Sequence, residues 1–181
     1  TLNPGDKVLS VSIGDFGDRW YKVATKLGFR VERLQFEPGL AADPERIAER
    51  LAEDREKQIK AVLIQHNETS TGVTNDVKAI ARVVREHGAF LMVDSVSGLG
   101  ALPLEMDEWG LDVVLTGAQK ALMCPPGLSM VAFSERARAA AESNTMPRFY
   151  WDLKAAHNSF LKAQTPYTPA ISLFYALKAA L

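Results

Sequence analysis

Three polar groups each follow a short apolar run, and their residue types are ones that can do chemistry. Asp94 comes directly after Phe90-Leu91-Met92-Val93, and Lys120 closes Gly117-Ala118-Gln119-Lys120 behind Val113–Thr116. The hydroxyl-rich stretch His66-Asn67-Glu68-Thr69-Ser70-Thr71-Gly72 follows Ala61–Gln65. A carboxylate at the end of an apolar strand is costly to bury without a partner. Asp94 therefore either caps a helix or pairs with a neighbouring cation, or else grips a ligand's cationic ring nitrogen or a metal ion. The metal reading is the weaker one, because no second His, Cys or Asp lies at ligand spacing near it. Partial desolvation lowers a lysine's pKa, which suits an amine that must attack a carbonyl carbon. The bland alternative for Lys120 is a surface lysine with its stem on the protein and its ammonium in water. The hydroxyls and glycine of 66–72 suit an anion or a polar ring substituent, or simply an ordinary capped loop.

Short β-branched runs alternate with amphipathic helical runs along the rest of the chain. Strands are expected at Lys7–Ser12, Arg30–Phe36, Ala61–Gln65, Ala89–Val93, Val113–Thr116 and Met130–Phe133. Helices are expected from Asp18 to Leu27, from Pro44 behind an Asp43 cap to Asp54, and over Glu135–Glu142. A further helix, capped by Thr74 or Asn75, carries Val77, Ile80, Ala81 and Val84 at helical spacing and ends at His87-Gly88. The alternation predicts an α/β fold with a mainly parallel sheet sandwiched by helices. Ala61–Gln65 and Ala89–Val93 are apolar on both faces, as expected where helices cover both sides. In such sheets ligands bind beyond the carboxyl ends of the strands, where Asp94, Lys120 and the 66–72 stretch fall. An acidic grip, a lysine nucleophile and a hydroxyl cluster at neighbouring strand ends form the set that pyridoxal phosphate (PLP) requires.

The chain has 181 residues, 47% of them hydrophobic, enough for one domain with a sizeable core or a domain plus part of another. A formal net charge of -1 argues against nucleic acid or an anionic membrane as the main partner, since both call for a basic face. The single Cys124 cannot form an internal disulfide, which fits a reducing compartment. No apolar run approaches the ~18 residues of a membrane span, and no signal-peptide pattern opens the chain. The expectation is a cytoplasmic protein. The first residue is Thr1 rather than methionine, and Leu181 falls inside an apolar helical pattern with Ile171, Phe174 and Leu177, so residues are expected to continue on both sides. After Asn144 the composition shifts to aromatics and prolines, among them Phe149, Tyr150, Trp151, Pro166, Tyr167 and Pro169. A core at 1–145 and a segment at 146–181 serving as lid or dimer contact are expected.

The segments NPGDKVLSVSIGDFGDRW (3–20), HNETSTGV (66–73) and LMVDSVSGLGALPLEMDEWGLDVVLTGAQKALMCPPGLSMVAFSERA (91–137) resemble class V aminotransferases of PLP fold type I. The alanine–glyoxylate and serine–pyruvate branch is the most similar, and the resemblance covers nearly the whole chain. It implies the large domain of an aspartate aminotransferase-like enzyme, with a phosphate loop upstream of Thr1 and a small domain downstream of Leu181. It makes Lys120 the Schiff-base lysine and Asp94 the partner of the pyridine nitrogen. Val96 matches the aliphatic residue on one ring face, and Phe16 stands where the family usually has a stacked aromatic, often Trp, on the other. Thr69 matches a cofactor-binding hydroxyl, and Gln119 a phosphate contact. The stretch Thr165-Pro166-Tyr167-Thr168-Pro169 resembles one that reaches the phosphate of the neighbouring subunit, through Thr165, Tyr167 or Thr168. The implied activity moves an amino group from a small amino acid such as alanine or serine to a keto acid such as glyoxylate or pyruvate, in a homodimer.

Rival readings within this fold are aspartate, aminoethylphosphonate or ureidoglycine aminotransferases and cysteine desulfurases. The desulfurases carry a histidine just before the lysine, where this chain has Gln119. A non-catalytic relative acting in assembly is the rival from outside enzymology. Cys124 reads as a small buried residue, and His87, before Gly88 at a helix end, as structural. His66 lies close enough to the expected site to be a further cofactor contact. The charged run Glu45–Lys60 reads as a solvated helix face.

Overall fold

A computed structural model describes residues 1–181. The chain forms β1 (Lys7–Ser12), α1 (Asp15–Lys26), β2 (Arg30–Gln35), α2 (Pro44–Glu53) and β3 (Ile59–Gln65), then the short β4 (Asn67–Glu68) and β5 (Val73–Thr74). It continues as α3 (Val77–His87), β6 (Phe90–Asp94), α4 (Met106–Trp109), β7 (Val113–Gly117) and β8 (Ser129–Phe133). It closes with α5 (Glu135–Glu142), α6 (Leu153–Phe160) and α7 (Ile171–Ala180). Six strands make one sheet in the order β2-β1-β3-β6-β7-β8. Neighbouring strands are parallel except β7 and β8, which run antiparallel.

Right-handed crossovers explain the layers. The step from β1 to β2 goes toward one edge, while the steps to β3, β6 and β7 go toward the other. Helix α1 therefore lies on one face, and α2 and α3 pack together on the opposite one. The α2/α3 face holds the main core, in which Ile47, Leu51, Ile80 and Val84 meet Leu9, Val11, Val62, Ile64, Leu91, Val93 and Val114. Each such side chain, fully buried, contributes about 1.5–3 kcal/mol. The α1 face holds a smaller cluster of Leu2, Val8, Ala24, Ala61 and Leu63, with Trp20, Phe90 and Met92 partly buried against it. Coverage is thus unequal. β3 is buried along its length except at Lys60, but in β6 only Leu91, Val93 and Asp94 are buried, while Phe90 and Met92 remain half-buried. Helix α1 reaches over β1 and β3 and stops short of β6.

Two helix starts differ from the sequence expectation for physical reasons. Helix α1 begins at Asp15 rather than Asp18, because its cap comes from a distant loop, described below. Helix α3 is capped by Asp76, whose carboxylate accepts from the Ala79 N–H at 2.9 Å, rather than by Thr74 or Asn75. Asn75 is buried and ties two elements together, accepting from the Ala42 N–H and donating to the Gln65 carbonyl, both at 2.8 Å. Asp43 caps α2 as expected, accepting from Glu45 N–H at 2.9 Å with Pro44 in the first turn. No helix is long and apolar enough to cross a membrane. Beyond α5, Tyr167 stacks on Tyr150 at 4.8 Å, and its hydroxyl donates to the Phe149 carbonyl at 3.0 Å.

Candidate active site

The strand order reverses direction at β1. Its carboxyl end leads to β2 on one side while β3 stands on the other, which makes the β1/β3 crevice a topological switch point. The start of α1 and the loop after β3 meet there. Glu68, fully buried, joins them. Its carboxylate accepts from the backbone N–H of Phe16 at 3.1 Å, of Gly17 at 3.0 Å and of Ser70 at 3.1 Å, and from the Ser70 hydroxyl at 2.7 Å. A carboxylate at a helix N-terminus satisfies free N–H donors and opposes the positive end of the helix dipole. It also takes up N–H groups that a bound anion would otherwise use. The fit is close at Gly14, where a Cβ would lie 2.7 Å from the Glu68 Cγ. Sequence reasoning passed over Glu68 because the helix it caps is more than fifty residues away; only the missing side-chain cap at Gly14 hints at it.

Glu68→Ala should lower the stability of the unliganded chain by about 2–3 kcal/mol, the cost of leaving several buried donors unpaired. Urea denaturation measures this directly. A loss below about 0.5 kcal/mol, the range of an ordinary surface substitution, would contradict the assigned role.

The next residue, Thr69, is exposed, and its hydroxyl donates to Ser97 Oγ at 3.0 Å. Ser97 in turn donates to Asn67, at 3.1 Å from its carbonyl and 3.0 Å from its side-chain oxygen. The relay ties the β3 loop to the loop after β6 and leaves Thr69 Oγ1 with free lone pairs. Ser97 is a second residue that the sequence reading did not single out.

Asp94 ends β6 and is buried, at 8% exposure. One of its oxygens accepts from the Val96 N–H at 3.0 Å, and it forms no salt bridge. Burial pushes its pKa above the usual carboxylate range; the Val96 N–H opposes the shift, the charge of Glu68 adds to it, and the Trp20 indole opposes it. Of the sequence alternatives, a salt bridge is excluded, and the carboxylate bonds the N–H of the Ser95-Val96-Ser97 turn rather than capping a helix. Two buried carboxylates near each other, with no lysine or arginine paired to either, favour a cationic ligand. Trp20 stands one helical turn beyond Phe16 and is the third contributor that the sequence reading missed.

Lys120 follows β7, the strand beside β6, and Asp94 is in register with Leu115. Hydrogen bonds from Ser95 N–H to the Leu115 carbonyl at 2.8 Å and from the Thr116 hydroxyl to the Ser95 carbonyl at 3.1 Å lock the two strand ends. The lysine loop is closed by Ala118 N–H to Leu128 O at 3.1 Å, Cys124 N–H to Ala118 O at 3.0 Å and Met123 N–H to Lys120 O at 2.9 Å. Cys124 is buried in this loop, as expected. Lys120 itself is exposed and makes no hydrogen bond through its amine, which corrects the expectation of partial desolvation. The physical reason is that residues 118–128 run beyond the sheet, where the chain's own elements do not cover the side chain.

The remaining expected residues divide. Val96 is half-buried beside Asp94. Phe16 is half-buried in the first turn of α1, with the Arg19 guanidinium 4.9 Å from its ring centre. Gln119 is exposed and folds back over Gly117, whose Cβ would lie 2.7 Å from the Gln119 Oε1. Thr165, Tyr167 and Thr168 form no hydrogen bond to the strand ends; Thr165 bonds the Tyr167 carbonyl at 2.8 Å, and Tyr167 reaches Phe149. His66 is buried, its Nδ1 is 3.0 Å from Ser95 Oγ, and desolvation lowers its pKa, so it braces the loop behind Asp94. His87 pairs with the buried Asp54 at 3.2 Å. No group of three or more His, Cys, Asp or Glu side chains is placed to hold a metal ion.

The chain is similar to known proteins along its whole length. The family model described as aminotransferase class-V matches residues 1–181. The chain is 45% identical to a protein of Anabaena cylindrica named soluble hydrogenase 42 kDa subunit, over 99% of this chain and 47% of that protein. It is 42% identical to the serine–glyoxylate aminotransferase of Arabidopsis thaliana, over 100% of this chain and 46% of the plant enzyme. Among solved structures, an alanine–glyoxylate aminotransferase from Nostoc sp. superposes with a TM-score of 0.92 at 30% identity, covering 99% of this chain and 48% of that one. The chain spans about half the length of the curated relatives it matches.

Proposed function

Because the chain belongs to the class-V aminotransferase family, we propose that it forms the cofactor-binding core of a PLP-dependent aminotransferase that transfers an amino group from a small amino acid to a keto acid such as glyoxylate or pyruvate. The observation that carries this reading is Asp94: a buried carboxylate without a cationic partner, at the carboxyl end of β6, on the strand next to the one that leads into Lys120. The donor set fits PLP. A carboxylate whose pKa is raised by burial gains most from a positively charged ring nitrogen, and an exposed lysine can reach an aldehyde. The oxygen of Thr69 and the amide of Gln119 suit the ring's polar substituents and the phosphate.

Bound there, the cofactor supplies a ring that draws electrons from the substrate's Cα. Asp94 keeps the ring nitrogen protonated. Lys120 would hold the cofactor's aldehyde through Nζ, and its amine would carry the substrate's Cα proton as base and then as acid. Phe16 and Val96 would hold the ring between them and so keep the reacting bond in line. Residues 1–145 form the core, and 146–181 serve as lid or dimer contact, bringing Thr165, Tyr167 or Thr168 to a partner's phosphate in a homodimer. The near-neutral charge and single cysteine fit a cytoplasmic enzyme.

A second reading follows from the 45% identity to the Anabaena protein named as a hydrogenase subunit. In it the fold serves assembly rather than transamination. Retention of Asp94, Lys120 and Thr69 together favours the enzyme. The deciding experiment supplies the full-length protein and PLP with alanine, serine or aspartate against glyoxylate or pyruvate. Glycine formation from glyoxylate with alanine or serine is expected. Absence of transfer with every pair, from protein that binds PLP, would favour the assembly reading.

A further inference from the structure

Ser97, half-buried in the turn after β6, lies between Thr69 and Asn67. The direction of its proton follows from its neighbours. The Asn67 side-chain nitrogen reaches the Val73 carbonyl and the Thr74 hydroxyl oxygen, each at 3.3 Å. A carbonyl only accepts, so turning this amide over would set two oxygens against each other. Asn67 Oδ1 therefore faces Ser97 Oγ at 3.0 Å, and the Asn67 carbonyl oxygen faces it at 3.1 Å. Neither of these oxygens carries a hydrogen. Ser97 has a single proton and must give it to one of them, because pointing it elsewhere sets lone pairs against lone pairs at both contacts. Toward Thr69, 3.0 Å away, Ser97 Oγ can then only accept, and Thr69 must donate. Both protons run away from the strand ends, and Thr69 Oγ1 keeps only lone pairs to offer a ligand.

Resting on the proposed PLP site, we infer that Ser97 is a positioning residue that holds the Thr69 hydroxyl as a hydrogen-bond acceptor toward the cofactor. An acceptor selects among the polar groups of PLP. The aldehyde is assigned to Lys120, and a fully ionised phosphate has no proton to give. The ring's 3-hydroxyl has one, so an acceptor at Thr69 favours the cofactor form that keeps a proton at the 3-oxygen. Freed from Ser97, the same hydroxyl can turn and donate, which favours the form that has lost the proton. The charged and titratable groups of the surrounding elements are engaged elsewhere. Glu68 is held by Phe16, Gly17 and Ser70, His66 by Ser95, and Asp94 by Val96, while Lys120 is exposed and unbonded. None of them bonds Ser97 or Thr69, so a change at Ser97 reaches the cofactor through Thr69.

Two measurements on the full-length protein test this. Neutron diffraction from cofactor-free crystals in heavy water reads the relay itself. The Thr69 deuteron should lie on the line to Ser97 Oγ, and the Ser97 deuteron should point to an Asn67 oxygen. With PLP bound, the pH midpoint of the cofactor's colour change should fall by about one unit in Ser97→Ala, the size expected when a hydrogen bond to a charged group is gained. Ser97→Thr keeps the hydroxyl and should restore the parental midpoint. A Thr69 deuteron directed away from Ser97 overturns the inference, as does a Ser97→Ala midpoint that stays in place or rises. If Ser97→Ala does not fold, the neutron map decides alone. A parent protein that binds no PLP removes the proposed activity and this role with it, whereas a misdirected deuteron in a protein that does bind PLP removes only the role of Ser97.

Discussion

Lys120→Ala is expected to abolish the yellow absorbance of the PLP-loaded protein and to lower turnover by at least about 10⁴-fold. The size follows from the number of tasks assigned to one amine. It holds the aldehyde, and it moves the Cα proton, a task worth about 10²–10⁴-fold by itself. Its setting makes the loss specific. Lys120 is exposed and bonded to nothing, so removing its side chain costs the fold little. The loop keeps its backbone bonds from Ala118, Met123 and Cys124. The variant should therefore unfold within about 0.5 kcal/mol of the parent while losing its colour. Persistence of the yellow band, with borohydride fixing the cofactor to another residue, would remove Lys120 from the site.

Asp94→Asn should lower turnover by about 10²–10³-fold, the usual cost of removing one preorganised electrostatic partner. A neutral amide cannot hold the proton on the ring nitrogen as a carboxylate does, and near-normal rates would reject the role. The unliganded protein should respond in the opposite sense. Burial raises the folded-state pKa of Asp94 above its unfolded value. Between those two values the native state keeps a proton that the unfolded chain has released, so stability falls as pH rises through that window. The buried carboxylate therefore weighs against the fold once pH exceeds the unfolded value, and at neutral pH Asp94→Asn should raise the melting temperature of cofactor-free protein. Below both values the difference should shrink. A variant less stable than the parent at neutral pH would contradict the burial argument.

Much of the fold was readable from local pattern. β-branched runs marked the strands, Asp43-Pro44 marked the start of α2, and the alternation of types gave a parallel sheet. Asp94 and Lys120 stand out in the sequence as candidates because each follows an apolar run where a parallel sheet binds its ligands. What escaped depends on distance along the chain. The cap of α1 is Glu68, far away in sequence, so its start was placed a turn late. Ser97 acquires meaning only once the β3 and β6 loops are side by side. The state of Lys120 could not be read from Ala121-Leu122-Met123, because apolar neighbours in sequence do not cover a side chain that leaves the sheet. Gln65 reads as the last residue of an apolar strand, and only the packed structure shows its amide buried without a partner.

The site itself is tested most directly by a crystal structure of the full-length protein with PLP bound. The pyridine nitrogen should lie within about 2.6–3.0 Å of an Asp94 oxygen, with electron density continuous from the aldehyde carbon to Lys120 Nζ. A cofactor bound elsewhere, or a ring whose nitrogen faces away from Asp94, would contradict the assignment.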